Sequence, residues 1–354
     1  MDEFVNLLKE LVKRGGSDLH LKVEEPPIFR IDGRLVRATE YDVITPEFMK
    51  DTMFSLMTEK QAERFKKDLE LDLSYEIPGM SRFRINVFLQ KGYIGAAIRQ
   101  IPIKIKTIDE WGLPSQLKDI AMYSRGFVLV TGPTGSGKST TLAAMIEEMN
   151  NRVKRHIITI EDPVEFVFED KMCVIEQREI GVDTFSFSEA LKRVVRQSPD
   201  VIMVGEMRDL ETISRALTAA EMGALVLATL HTTDAAQTVD RIVDVFPPEQ
   251  QHQVRLQLSN TLRAVISQTL LPLATGKGRI AAFEILIGTP AVKNAIREGK
   301  VDQIYNLIQS GGRHGMRLLD QSLKDLYLRG LVNYEDALSK ASNPSDFEAS
   351  IARM

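Results

Sequence analysis

The sequence predicts an α/β protein in two parts, a small α+β unit followed by a larger unit built on a parallel sheet. Three observations carry this. Within residues 1–100, the segments Leu71–Tyr75, Arg82–Leu89 and Tyr93–Gln100 show strand-like alternation of apolar and polar positions, the mark of antiparallel strands with one solvated face. Later, the apolar runs at 127–131, 157–160, 201–204 and 224–229 are continuous and separated by helical stretches. Such runs indicate parallel strands covered on both faces. After the first of them stands Gly132-Pro133-Thr134-Gly135-Ser136-Gly137-Lys138-Ser139-Thr140, followed by a helix-like stretch.

The elements follow in order. Phe4, Leu7, Leu8, Leu11 and Val12 fall at helical spacing, and Gly15-Gly16 ends that helix. Leu19–Leu21 and Ile28–Ile31 read as short strands, with Asp32-Gly33 as a tight hairpin turn. Thr45 caps a second helix with Pro46 at its first position. Thr58 and Gln61 have capping-box spacing for a third. Strand patterns return at Leu71–Tyr75, Arg82–Leu89 and Tyr93–Gln100. Residues 101–115 contain Pro102 and carry no strong pattern, so they read as a linker between domains 1–100 and 116–354. After about residue 250 the chain reads as mainly helical.

Gly132, Gly137, Lys138 and Ser139 match G-x-x-x-x-G-K-[ST] in the strand–loop–helix setting that this motif requires. Glycines let successive backbone N–H groups converge on phosphate oxygens, and the next helix points its positive end at the same place. Lys138 would reach the β- and γ-phosphates of a nucleotide, and the Ser139 hydroxyl would ligate Mg²⁺.

Ligands of an open parallel sheet bind beyond the carboxyl ends of the strands. There the strand at 156–160 delivers Glu161-Asp162-Pro163-Val164-Glu165, and the strand at 201–204 delivers Gly205-Glu206-Met207-Arg208-Asp209. The strand at 224–229 delivers Leu230-His231-Thr232. Hydrolysis of ATP needs a carboxylate to hold the attacking water and orient metal ligands. Glu206 is the first candidate and Glu161 the second, because each follows a buried strand directly. Gly205 stands where such ATPases commonly have Asp, so the metal is expected to reach the carboxylate through water. Glu206 as a solvated loop acid, and His231 as a histidine bonded to neighbouring backbone rather than to phosphate, are the competing readings. Asp240 and Arg241 read as helix-surface charges.

Arg82, Arg84 and Asn86 share one face of their strand, and Phe83, Ile85 and Val87 share the other. Arg99 falls in the adjacent strand. Two readings stand for these arginines: an ordinary solvated basic face, or groups that cross a subunit boundary to stabilise charge on a neighbour's phosphate.

Composition sets outer bounds. At 354 residues the chain can bury a large core. A net charge of −4 offers no global field for nucleic acid. The single cysteine, Cys173, excludes an internal disulfide and every metal site that needs paired cysteines, which suits a reducing cytoplasm. The acidic start Met1-Asp2-Glu3-Phe4 lacks a signal-peptide pattern, and no apolar run nears the ~18 residues that span a bilayer. Any membrane link is therefore expected to pass through a partner.

Taken together, the phosphate loop, the acidic box Ile160–Glu165, the stretch Val204–Asp209, the histidine box Thr229–Ala235 and the opening Gly16-Ser17-Asp18-Leu19-His20-Leu21 resemble the secretion-ATPase superfamily, in this order and over essentially the whole chain. Within it the similarity is greatest to the type IV pilus retraction motors. Extension motors and type II secretion ATPases usually carry a four-cysteine zinc module and a long N-terminal extension, and this chain has one cysteine. Retraction motors carry Ala-Ile-Arg-Asn-Leu-Ile-Arg-Glu near the C-terminus. Here Ala291-Val292-Lys293-Asn294-Ala295-Ile296-Arg297-Glu298 keeps Ala291, Asn294, Ile296, Arg297 and Glu298.

The resemblance implies a PAS-like N-terminal domain, a RecA-like ATPase domain and a helical C-terminal region. It implies a cytoplasmic homohexamer that uses ATP and Mg²⁺ to power pilus retraction, acting on an inner-membrane platform protein without nucleic acid. Glu206, Glu161 and His231 carry over as catalytic groups, Glu165 with the loop as nucleotide contacts, and Ser139 and Glu206 toward the metal. Of the N-terminal arginines it points to Arg84 and Arg99 ahead of Arg82. The alternatives are an extension or secretion motor, a DNA translocase, and an ATP-dependent regulatory scaffold.

Overall fold

The computed structural model describes residues 2–31, 33–101 and 105–352. Asp32 of the expected hairpin turn and residues 102–104 of the expected linker lie outside them. The chain divides into two units, Met1–Lys104 and Ile105–Met354.

In the first unit, α1 (Asp2–Lys13) is followed by β1 (Asp18–Leu21), β2 (Ile28–Ile31) and β3 (Arg34–Arg37). Then come α2 (Pro46–Ser55), α3 (Glu59–Asp68), β4 (Glu70–Ile77), β5 (Ser81–Gln90) and β6 (Tyr93–Ile101). Their six-stranded sheet runs β3-β2-β1-β6-β5-β4 and is antiparallel throughout. The local signals act as expected. The Thr45 hydroxyl accepts from Phe48 N, and Thr58 and Gln61 form the reciprocal capping box. One sheet face is apolar: Leu19, Phe29, Phe83, Ile85, Val87 and Ile98 pack with Phe4, Leu7, Leu8 and Leu11 of α1. The opposite face carries Asp18, Arg84 and Arg99.

In the second unit, Ile108, from the stretch expected as linker, is buried with Leu117 and Ile120 of α4 (Gln116–Ala121). Then follow β7 (Gly126–Thr131), α5 (Lys138–Arg152), β8 (His156–Glu161), β9 (Val174–Glu179), α6 (Phe187–Val194), β10 (Val201–Val204), α7 (Leu210–Glu221) and β11 (Leu225–Leu230). Next are α8 (Ala235–Asp244), α9 (Pro248–Thr261), β12 (Leu262–Pro272) and β13 (Arg279–Ile287). Helices α10 (Pro290–Arg297), α11 (Ile304–Ser310), α12 (Leu319–Leu328), α13 (Tyr334–Leu338) and α14 (Pro344–Ala352) close the unit.

Its seven-stranded sheet runs β13-β12-β7-β11-β10-β8-β9, and only β13 is antiparallel to its neighbour. Successive residues of the central strands face different cores. Phe127, Leu129, Ile202 and Val204 join one cluster, while Val128, Val130, Val201 and Met203 join the other. That two-sided burial explains the continuous apolar runs.

The expected helical stretch after about residue 250 begins later than the pattern suggested. Helix α9 ends at Thr261, and two strands intervene before the run of helices that starts at Pro290. Strand β12 lies between β7 and β13, so Val265 and Ile266 are buried on opposite faces. The alternation that would flag a strand is therefore absent. Strand β9 also went unanticipated, being short and largely polar at the sheet edge.

One buried carboxyl joins this hairpin to two helices. Glu284 of β13 accepts from Ala235 N, at the start of α8, at 2.9 Å, and it also bonds the backbone of Leu319 at the start of α12. Burial pushes its carboxyl up to about 7 from 4.5, with Asp234 and Asp320 acting the same way and the backbone hydrogen bonds opposing. The folded chain therefore holds a proton that the unfolded chain releases, and stability falls as pH rises from about 4.5 toward 7. At ~1.4 kcal/mol per pKa unit the shift is worth ~3 kcal/mol. Glu284→Gln removes this contribution, so its apparent melting temperature should fall less between pH 5 and pH 8 than that of the unsubstituted chain. Identical pH dependence in the two proteins would contradict the assignment.

Candidate nucleotide site

The parallel strands bring their carboxyl ends to one edge. Thr131 pairs with Leu230, and Val204 pairs with both Ala228 and Ile160. The loop Gly132–Gly137, the acidic box, the Gly205–Asp209 segment and His231 thus leave neighbouring strands on the same side of the sheet.

The loop enters α5 through Gly137, whose φ of 90° suits glycine. Pro133, Thr134 and Gly135 form its exposed crest, while Gly137, Lys138, Ser139 and Thr140 are partly exposed. Lys138 Nζ donates to the carbonyls of Gly132 at 2.9 Å and Pro133 at 3.1 Å, drawing the loop around its own ammonium group. Burial lowers the Lys138 pKa, with Glu206 and Glu165 pulling it back up, so both carboxylates act on this lysine electrostatically. Ser136 Oγ is buried without a partner, an orphaned hydroxyl inside the loop. An anion with further oxygens to offer suits such a loop.

Glu206 and His231, expected to share the site, are in direct contact. His231 Nε2 donates to Glu206 Oε1 at 2.6 Å. The carboxylate can only accept, so this nitrogen carries the proton. His231 Nε2 thus meets a carboxylate rather than neighbouring backbone. Arg208 donates to the other oxygen, Oε2, at 2.7 Å. The Arg208 hydrogen bond is the main cause that holds the Glu206 carboxyl below its ordinary pKa; burial opposes it and His231 assists. Arg208 is a member of the site that motif matching alone does not single out. Its signal was the spacing: two residues past Glu206, at the same strand end.

Gly205 owes its identity to packing. A Cβ there would lie 3.2 Å from Ile160 O and 3.4 Å from Glu161 Cα, so a side chain such as the expected aspartate would fit only if that backbone gave way. Gly205 N donates to Ile160 O at 2.8 Å, and the Thr229 hydroxyl donates to Gly205 O, which fixes the turn that presents Glu206.

Glu161 sits differently from Glu206. Its carboxyl is buried, accepting from Thr159 Oγ1 at 2.6 Å, Gln177 Nε2 at 3.0 Å and Glu165 N at 3.3 Å. Burial raises its pKa against these hydrogen bonds. It holds the acidic box in shape from below, while Glu165 is exposed. Among the described residues no group of three or more His, Cys, Asp or Glu side chains is placed to hold a metal ion.

In the first unit Arg84 and Arg99 stand directly opposite each other on β5 and β6. Arg99 Nε donates to Asp18 Oδ1 at 2.9 Å, and Arg84 Nε lies 3.5 Å from Asp72 Oδ1. Burial raises the Asp18 pKa, but hydrogen bonds from Ser17 and Arg99 outweigh it and hold the carboxyl low. Arg82 donates to Ser74 Oγ at 3.2 Å. Asp240 and Arg241 are exposed on α8.

On α10, Val292 and Ala295 are buried together with Ile296. Two of the three departures from the retraction-motor motif are thus apolar exchanges on the hidden face. The exposed residues Ala291, Asn294, Arg297 and Glu298 are all retained.

The arrangement can grip phosphates and set a low-pKa carboxylate beside them. As a general base Glu206 must be ionised. Arg208→Ala removes the largest cause of its low pKa, so the acidic limb of the pH–rate profile for ATP turnover should move to higher pH. An unmoved limb would show that Arg208 does not tune Glu206.

Residues 3–284 match the family of type II/IV secretion system proteins. The chain is 51% identical over 345 residues to the type IV pilus retraction ATPase PilT of Pseudomonas aeruginosa, covering 98% of this chain and all of that one. It is 49% identical over 317 residues to a twitching motility protein of Neisseria gonorrhoeae, covering 90% and 84% of the two chains. The crystal structure of a pilus retraction motor PilT with bound ADP superposes with a TM-score of 0.91 at 45% identity, over 97% of this chain and 98% of that one.

Proposed function

The chain belongs to the type II/IV secretion system protein family, and we propose that it is an ATP-hydrolysing motor that powers type IV pilus retraction and twitching motility. The observation that carries the hydrolysis step is the Glu206 carboxylate, fixed by His231 and Arg208 at the strand-end edge beside the Lys138 loop. Loop amides and Lys138 bind the ATP phosphates, with Glu165 at the rim. Ser139 would ligate Mg²⁺, which neutralises phosphate charge when bound; Glu206, with an oxygen on each of two partners, would meet it through water. This suits Mg²⁺, which keeps several waters in phosphate sites. Glu206 orients or deprotonates the attacking water. His231 links that carboxylate to the start of α8, and Glu161 sustains the acidic box.

The chain works as a homohexamer. In this reading a PAS-like domain (1–100) and a RecA-like domain (116–354) swing about the 101–115 linker during turnover. Arg84 and Arg99 of one subunit complete the site of the next, where the field of two adjacent arginines would favour the transferring phosphate. No helix among the described residues is long and apolar enough to cross a membrane. In this reading the motor acts from the cytoplasm on an inner-membrane platform protein, and the exposed face of α10 is a candidate for that contact. The lone cysteine leaves no zinc module of the kind extension and secretion motors carry. An acidic net charge gives no support to a DNA translocase.

Glu206→Gln should bind ATP with near-normal affinity and lose at least ~10²-fold in kcat, as expected for removal of a general base; near-normal turnover would sink the assignment. Arg84→Ala should likewise lose turnover while keeping nucleotide affinity. Mixing it with Lys138→Ala should restore part of the rate, because mixed interfaces contain intact half-sites. Turnover by isolated monomers would contradict the ring. Addition of DNA should leave the rate unchanged.

A further inference from the structure

The phosphate loop rests on a strand that carries none of the motif residues. Strand β12 runs parallel to β7, with Ser267 in register with Thr131 and their hydroxyls 2.8 Å apart. The next residue, Gln268, is 3% exposed, a polar side chain within a mostly apolar strand. Both ends of its amide are used. Nε2 donates to the Ser136 carbonyl at 2.7 Å, and Oε1 accepts from Thr141 Oγ1 at 2.8 Å. One side chain thus ties the loop to the first turn of α5.

The backbone of β12 is as close as the side chain. A Cβ on Gly132 would lie 2.2 Å from Gln268 O, and one on Gly137 would lie 3.2 Å from Gln268 Nε2. The first and last glycines of the motif therefore make room for β12 as well as for phosphate.

The consequence follows from the planar trans peptide. The Ser136 carbonyl and the Gly137 N–H belong to one rigid unit and point in opposite directions. Holding the carbonyl toward β12 fixes the Gly137 N–H away from it, before any anion arrives. A loop whose donors are already aimed binds without the cost of ordering them.

We propose that Gln268 is a positioning residue for nucleotide binding, which aims the phosphate-loop amides by holding the Ser136 carbonyl and Thr141. The proposal rests on the reading that this loop binds nucleotide. It assigns a role in the site to β12, whose partner strand β13 carries Glu284 opposite Ser267 and so reaches the start of α8.

The test compares the full-length chain with Gln268→Met, which keeps the volume and loses both hydrogen bonds, and Thr141→Val, which loses one. The readouts are Mg-ADP affinity by calorimetry, kcat and KM for ATP, and the melting temperature without nucleotide. Gln268→Met should weaken Mg-ADP by about tenfold, the order that one or two lost hydrogen bonds produce. KM for ATP should rise in parallel while kcat changes less. Thr141→Val should give a smaller loss of affinity, and adding it to Gln268→Met should cost no more affinity. A merely structural role would lower the melting temperature and leave affinity within about twofold, and that result overturns the proposal. Thr141→Val decides the question in the same way where Gln268→Met does not fold, since unchanged affinity in it is equally fatal. Failure of the unsubstituted chain to bind Mg-ADP would remove the nucleotide reading itself, and this proposal with it.

Discussion

A loop that grips phosphate through its backbone must give up the hydrogen bonds that hold ordinary backbone in place, and the architecture of the larger unit is organised around supplying substitutes. Helix and sheet ladders satisfy their own N–H and C=O groups. The Gly132–Gly137 loop makes only part of such a ladder, with Gly132 N donating to Leu230 O and Ser136 N to Pro133 O. Its carbonyls are held instead from within and from below. Lys138 takes those of Gly132 and Pro133, and Gln268 takes that of Ser136. The sheet order then does the rest. Placing β7 between β11 and β12 sets the histidine box on one side of the loop and the Gln268 support on the other.

The same logic runs through the carboxylates. Glu161 and Glu206 both end buried strands, yet their surroundings separate them. Glu161 is enclosed, fully engaged with Thr159, Gln177 and the Glu165 backbone, and raised in pKa by burial. Glu206 is partly exposed, held by two basic side chains and lowered in pKa. A buried carboxyl with neutral partners favours its protonated form and serves as a brace, while one held by an arginine stays ionised and available to accept a proton.

Much of this was legible in the sequence because the signals are local. The phosphate loop, the Thr58–Gln61 capping box and the alternation of Arg82–Val87 each depend on residues a few positions apart. The strand-end placement of Glu206 and His231 followed from topology alone. What could not be read were contacts between distant segments. Gln268 meets Ser136 across 132 positions, and Glu284 meets Ala235 across 49. Strand β12 hid because burial on both faces erases the period that would distinguish it from a buried helix. The one available signal was polarity out of place, a glutamine and a glutamate inside apolar runs. Such residues are kept in a core when their hydrogen bonds are made.

The arginine pair of the first unit shows the same economy of means. Arg84 and Arg99 are cross-strand neighbours of like charge, tolerated because Asp72 and Asp18 flank them. Under the proposed function this pair would attract an anion where those carboxylates are outcompeted, so that a site organised by one subunit would be completed by the next. The most direct measurement is ATP turnover per chain as a function of protein concentration, followed alongside oligomeric state by light scattering. The account predicts a rate per chain that climbs as chains associate and levels off when assembly is complete. A rate per chain that stays constant down to concentrations where the protein is monomeric would contradict it.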